Sequence, residues 1–210
     1  MRIALFGTVG AGKSTVSEYI SKTIGHEIFP EPIDNNPYFE AYYEDIKNNV
    51  FKMQIFMLAA RSKQLKQAQQ LKKIIFDRTI LEDPIFMQVN HDLGNVNDVD
   101  FKTYNDFYEN VVLQTLSIPD ERVKFDIIIY LKVSTDKAME RIKTRGRDSE
   151  GLMGREYWEA LNNRYNDFYQ KHKATFPFFV VDAETDDMEA KMELIMGEIY
   201  KMDPSLKPKK

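Results

Sequence analysis

The chain contains no cysteine. That excludes disulfides, thiolate zinc sites and a cysteine nucleophile. Histidine is scarce as well. His26, His91 and His172 lie far apart and show no ligand spacing, so each reads as a surface or packing residue. No apolar run approaches the roughly 20 residues of a membrane span; Ile127–Leu131 has the length of a strand. A basic excess is also missing. Lys and Arg number 29 against 33 Asp and Glu, a formal net charge of −4. This balance argues against a general nucleic-acid binder or an anionic-membrane binder. The chain opens directly on a strand pattern, which leaves no room for a signal peptide. Cytoplasm is therefore the expected location.

What remains is a chain of 210 residues, 43% hydrophobic, of a size for one α/β domain. The expected domain spans residues 1–203, with a frayed, lysine-rich tail over 204–210. Strand-like runs occur at Ile3–Phe6, Glu27–Phe29, Lys73–Phe76, Phe125–Leu131 and Phe178–Val181. Their near-continuous hydrophobicity predicts a parallel sheet covered on both faces. Helical patterns follow Gly12 and cover about Val50–Leu71, Asp83–His91, Asp100–Leu116, Thr135–Thr144, Arg155–His172 and Asp187–Lys201. Leu93–Asp100 is polar and reads as an exposed loop. Right-handed crossovers then give a three-layer α/β/α architecture with a five-stranded, doubly wound sheet.

The segment Gly7-Thr8-Val9-Gly10-Ala11-Gly12-Lys13-Ser14 fits the phosphate-binding pattern G-x-x-x-x-G-K-[ST] and stands between a strand and a helix opening with Thr15. Glycines let the backbone turn tightly and bring its N–H groups to phosphate oxygens. The helix N-terminus adds partial positive charge. Lys13 would reach the outer phosphates, and the Ser14 hydroxyl would ligate Mg²⁺. The expectation is a nucleoside triphosphate site. Ile74-Ile75-Phe76-Asp77 is an apolar strand ending in a carboxylate, followed by Arg78. In a P-loop fold such an Asp supports Mg²⁺, and Arg78 would face the transferred phosphate; otherwise Asp77 simply caps a turn.

Arg141 and Arg145 are one helical turn apart, and Arg147 follows Gly146. After the fourth strand, such a group suits an arginine-rich lid that closes over polyphosphate and neutralises developing charge. A solvated basic face is the competing reading. On the acceptor side, Glu31 is held between Pro30 and Pro32 after the second strand. It would lie near the crevice and could deprotonate a substrate hydroxyl. Gln54 and Arg61 share one face of the long helix and could read a nucleobase edge, or merely be exposed polar residues. Periodicity does not decide between them.

In combination, Gly7–Ser14, Pro30-Glu31-Pro32, Tyr43-Glu44, Gln54 to Arg61, Asp77-Arg78-Thr79 with Asp83, and Arg141-x-x-x-Arg145-Gly146-Arg147 carry a resemblance. From Met1 to about Asp182 the chain resembles the deoxyribonucleoside kinases, and among them the bacterial deoxyadenosine kinases. The resemblance implies transfer of the ATP γ-phosphate to the 5′-hydroxyl of a deoxynucleoside, with Mg²⁺. It implies Glu31 as general base and Arg78 beside the same hydroxyl. It implies Tyr43 and Glu150 on the 3′-hydroxyl, Gln54 on the base, and Arg61 with Asp83 as a polar pair at the base pocket. Lys13, Ser14 and the lid arginines hold phosphates, and the loop from Asp182 to Asp186 covers the donor adenine. A homodimer pairing through helices near 50–71 and 100–116 is implied too.

The chain departs from the family in three places. Thr8 replaces the more usual Asn of the phosphate loop. Asp77 and Thr79 stand where animal members carry Glu and Ser. Glu150 falls in a variable segment.

The Arg61–Asp83 pair bears on specificity. Thymidine-preferring relatives are apolar there. A buried ion pair offers both donors and acceptors, and a base that leaves it unpaired is penalised by roughly 2–5 kcal/mol. The pair points to adenine, cytosine or guanine, with deoxyadenosine preferred. Met57, one turn from Gln54 and Arg61, would tune pocket size or belong to the core. The nearest rival is a nucleoside monophosphate kinase of the thymidylate kinase type, which would need extra positive groups for the acceptor phosphate. A regulatory GTPase would need a guanine-reading Asn-Lys-x-Asp segment, and none is present. A non-catalytic nucleotide-binding scaffold fits poorly with the set of proton- and phosphate-transfer residues.

Overall fold

The computed structural model describes residues 1–34, 36–114, 124–147 and 149–208. Five strands, β1 (Arg2–Phe6), β2 (Glu27–Phe29), β3 (Ile74–Asp77), β4 (Ile127–Lys132) and β5 (Phe178–Asp182), pair in parallel in the order β2-β3-β1-β4-β5. This is the expected doubly wound, five-stranded sheet. Successive residues of a strand face opposite sides, and both sides are covered. Ile3 and Leu5 of β1 pack with Ile129 and Leu131 of β4 against α1 (Lys13–Ile24) and α8 (Met188–Met202), through Val16, Ile20, Ile195 and Ile199. Ala4, Phe6, Phe76 and Tyr130 face the opposite layer of α3 (Ile46–Ala68), α4 (Asp83–Asp92) and α7 (Arg155–His172), through Leu58, Met87, Leu161 and Tyr165. Two-sided burial is why these strands read as continuous apolar runs.

The strand order places β1 between β3 and β4, so the chain leaves β1 at a topological switch point. The carboxyl ends of β1, β2 and β3 lead into the phosphate loop, Glu31 and Asp77-Arg78 respectively. The loop itself needs its glycines. Gly10 has φ +82°, and a Cβ there would lie 2.4 Å from the carbonyl oxygen of Ala138. Ala138 belongs to α6 (Thr135–Arg145), so the loop leans on that helix.

Element ends differ from the sequence reading where caps decide them. The long helix α3 begins at Ile46 rather than near Val50, because the Asp45 side chain accepts from the Asn48 N–H. α5 (Asp98–Phe107) starts inside the stretch read as loop, capped by Asn97 on the Asp100 N–H at 2.8 Å. It continues as a π-helical segment, Tyr108–Leu113; residues 115 and 116 of the predicted helix lie outside the described residues. A short helix, α2 (Phe39–Glu44), has no counterpart in the sequence reading. Past α8, Pro204–Leu206 forms a 3₁₀ turn, and residues 209 and 210 of the predicted tail lie outside the described residues. Among the described residues no helix is long and apolar enough to cross a membrane.

Gly10→Ala combines an unfavourable positive φ with a backbone clash that no side-chain rotation relieves. The expected cost is on the order of 1–3 kcal/mol in folding free energy. Denaturant unfolding checks it; a loss below about 0.5 kcal/mol would mean that loop and α6 separate freely.

Candidate active site

A cleft of about 640 Å³ opens above the carboxyl ends of the strands. Its walls bring together Val9, Gly10, Gly12, Lys13, Ser14 and Thr15 of the loop and first helix turn with Glu31, Tyr43, Gln54, Met57, Arg61, Asp77, Arg78 and Asp83. Arg141, Arg145, Arg147 and Glu150 close the far side. Gly7, Thr8 and Ala11 are not among the wall residues. Gly7 and Thr8 instead give their carbonyls to Lys13 Nζ, at 2.7 and 2.9 Å. Burial, and then Arg78, bring the Lys13 ammonium down to about 8 against the pull of Glu82, Glu31 and Asp77. It still carries its charge at neutral pH. Ser14 Oγ donates to Asp77 Oδ2 at 2.6 Å, which joins the phosphate loop to the end of β3.

Charge concentrates around Glu31. Arg78 Nε lies 2.7 Å from Glu31 Oε1, and Arg61 Nη2 donates to the same oxygen at 3.1 Å. Arg61 Nε lies 2.7 Å from Asp83 Oδ1. All but Glu31 are nearly sealed from solvent, whereas a quarter of the Glu31 side chain is open to the cleft. Burial pushes the Glu31 carboxyl up, but Arg78, Arg61 and Lys13 outweigh it and bring the group to about 2. Burial pushes the Asp83 carboxyl up, opposed by Arg61. Arg61 is pulled up by Asp83 and Glu31 despite burial, which works the other way.

Arg78 itself has φ +90°, the one positive φ outside glycine among the described residues. Its guanidinium contacts Glu82 and the Tyr165 hydroxyl as well as Glu31. The sequence reading passed over both of these partners. A carboxylate four residues after Arg78 was a usable signal for Glu82; Tyr165, 87 residues away, left none.

Tyr43 lines the cleft with its hydroxyl held neutral, since burial, Tyr42, Glu150 and Glu31 all raise it well above 10. Gln54 is 4% exposed, and its amide has no hydrogen-bond partner among the described residues. Met57 stands in both predicted settings at once: it is buried in the core cluster and lines the cleft. Asn36 donates to Met53 Sδ at 2.9 Å and to Met57 Sδ at 3.5 Å, bracing that wall. Glu150 is buried, and its carboxylate pairs with Arg145 and, at 3.3 Å, with Arg147. Arg141 pairs with Asp186 at 2.7 Å. Asp182 lies elsewhere: it lines a separate depression with Lys132 and Asn162 and accepts from the Glu184 N–H at 2.9 Å. Asp186 is the acid of that loop that reaches the cleft.

The depressed Glu31 carboxyl has a pH consequence. Its ion pairs contribute stability that is fully present above the ordinary value of 4.5 and is lost as pH falls through about 2. Glu31→Gln removes that charge at every pH. The stability gap between wild type and variant is expected to be level at neutral pH and to shrink between 4.5 and about 2. Denaturation across a pH series reads it, and a gap that stays constant down to about pH 2 would remove the two arginine contacts as its source.

Comparison with known proteins places this geometry. The family model for deoxynucleoside kinase matches residues 3–202. A deoxyadenosine kinase of Lactobacillus acidophilus is 32% identical over 209 residues, covering 98% of this chain and 96% of that protein. The structure of deoxyadenosine kinase from M. mycoides with bound dCTP is 59% identical, with a TM-score of 0.88 over 96% of this chain and all of the other. The same enzyme with bound dATP gives 61% identity and a TM-score of 0.87, over 95% and 99% of the two chains. A match over nearly the full length, on a fold with the same cleft-forming sheet, leads to one statement: this chain belongs to the deoxynucleoside kinase family.

Proposed function

We propose that this deoxynucleoside kinase transfers the γ-phosphate of ATP to the 5′-hydroxyl of deoxyadenosine in preference to other acceptors, with Mg²⁺, in cytoplasmic deoxynucleotide salvage. One observation carries the reading. The phosphate loop and the Glu31–Arg61–Asp83 cluster face one another across a single cleft. Donor and acceptor would therefore be held in the orientation transfer requires. The relatives support it: one is a deoxyadenosine kinase, and solved structures of another hold dCTP and dATP.

At the donor end, Lys13, the loop amides and Arg145 and Arg147 would hold the polyphosphate, with Arg141 and the 182–186 loop toward the adenine. The departure at Thr8 is harmless there, since the loop uses its backbone. The Ser14 hydroxyl and Asp77 carboxylate, 2.6 Å apart, are hard oxygen donors suited to Mg²⁺. Among the described residues no group of three or more His, Cys, Asp or Glu could hold a metal, so the ion would share its shell with phosphate and water. When bound, Mg²⁺ would supply neutralisation of the charge on the polyphosphate.

At the acceptor end, Glu31 would accept a hydrogen bond from the 5′-hydroxyl and so aim the attacking oxygen. A carboxyl brought down to about 2 is a weak base. It takes the proton late, as a loose phosphoryl transition state permits. Arg78 would keep that carboxylate oriented and meet the incoming phosphate. Tyr43 and Glu150 would hold the 3′-hydroxyl. Gln54, with its amide unpaired, would meet the base alongside Arg61 and Asp83. A monophosphate acceptor is disfavoured by the same wall, because Glu31 places a carboxylate at the 5′ position, where its phosphate would need cations. A homodimer belongs to the same reading, supported by Phe107 and Val111, exposed apolar residues one turn apart around the end of α5.

The test is an ATP/Mg²⁺ kinase assay against the four deoxynucleosides, adenosine and the four deoxynucleoside monophosphates. Deoxyadenosine is expected to lead both thymidine and adenosine. Activity confined to a monophosphate would overturn the acceptor assignment. Glu31→Ala should lower kcat by about 10²–10⁴-fold while ATP binding persists. Arg61→Ala should cut kcat/KM for deoxyadenosine far more than for thymidine; equal losses for both would take the ion pair out of base selection.

A further inference from the structure

Glu82 is a carboxylate with no exposure at all, one turn from Arg78 and absent from the cleft wall. Sealing a carboxylate from water is costly unless it is paired and hydrogen-bonded. Part of its surroundings is local. Glu82 Oε1 accepts the Thr79 N–H at 2.8 Å and completes a capping box at the turn Ile80–Glu82. A neutral Gln would cap as well, so capping does not account for the charge. The other oxygen does. Oε2 accepts from the Tyr165 hydroxyl at 2.8 Å and lies 3.4 Å from Arg78 Nη1, which also donates to the Tyr165 oxygen. Arg78, Tyr165 and Glu82 thus close a three-membered ring of contacts behind the cleft.

The ring acts on a residue that needs it. Arg78 holds φ +90°, a conformation that costs energy in any residue with a Cβ. Such a backbone persists only where its surroundings over-determine it. Glu31 draws the guanidinium from the cleft side through Nε, and Glu82 with Tyr165 draws it from the buried side through Nη1. The Phe86 ring covers the guanidinium at 4.9 Å. Both edges of the guanidinium are therefore held.

We propose that Glu82 and Tyr165 are positioning residues for phosphoryl transfer, a buried carboxylate–phenol clamp that fixes the Arg78 guanidinium against Glu31. The inference rests on the reading of Glu31 and Arg78 given above and extends it to two residues outside the cleft. Its mark is that Tyr165 acts only through Arg78.

A double-mutant cycle with deoxyadenosine, ATP and Mg²⁺ tests it. Tyr165→Phe removes one oxygen and keeps the ring, and is expected to leave the melting temperature within a few degrees. It should lower kcat by about tenfold, with KM for deoxyadenosine changed by less than about twofold. In an Arg78→Lys background the same change should lower kcat by less than about twofold, because its target is gone. Glu82→Gln, which preserves the cap, should follow the same pattern; if it fails to fold, Tyr165→Phe alone decides. An unchanged kcat in Tyr165→Phe, or an equal loss in both backgrounds, overturns the clamp. Wild-type turnover in both Arg78→Lys and Glu31→Ala would overturn the underlying reading, and the clamp with it.

Discussion

One oxygen of Glu31 receives two guanidinium groups, from Arg78 at 2.7 Å and Arg61 at 3.1 Å. The cleft is organised around that convergence. Arg61 comes from the long helix, Arg78 from the end of β3, and Glu31 from the loop after β2. Three elements from different parts of the chain are therefore drawn together by one carboxylate. Each arginine then needs a second anion, because two buried cations on one acid leave a surplus of positive charge. Asp83 supplies it for Arg61 and Glu82 for Arg78. These two acids are adjacent in sequence, so one short turn after β3 neutralises both arginines.

The sheet makes this possible by geometry. With β1 between β3 and β4, the phosphate loop emerges beside Asp77, and the Ser14–Asp77 hydrogen bond joins the two strand ends. Apolar burial on both faces keeps the strand ends from shifting relative to one another. The polar cluster is affordable because the layers beneath it are not polar.

What could be read from the residues alone was what is written in short, contiguous patterns. Gly7–Ser14, Asp77-Arg78 and Arg141–Arg147 declare themselves because loop, strand end and lid each need particular residues at fixed spacing. The parallel sheet followed from uninterrupted apolar strands. Helix starts were misread where a single cap decides, at Asp45 and Asn97, since a capping side chain competes with many similar polar residues nearby. Partners distant in sequence were out of reach. The bond between Tyr165 and Arg78, the hold of Asn36 on Met53 and Met57, and the pairing of Arg141 with Asp186 exist only after folding. The resemblance implied the 182–186 loop as a whole, and only the folded turn shows that Asp186 reaches the cleft while Asp182 lines a separate depression.

The close approach of Gly10 to Ala138 has a mechanical meaning. Ala138 lies in the first half of α6, and the three arginines lie beyond it at Arg141, Arg145 and Arg147. A helix braced there against the phosphate loop has its fulcrum at Ala138. The helix cannot swing there without moving the loop, and it ends at Gly146, whose φ of +69° turns the chain away from the helix axis. Arg141, one turn from Ala138, thus sits close to the fulcrum, whereas Arg147 lies beyond the end of the helix and is tied to the buried Glu150 instead. The three arginines therefore differ in how directly they are tied to the glycine-rich loop: Arg141 through the helix braced on it, Arg145 and Arg147 through Glu150.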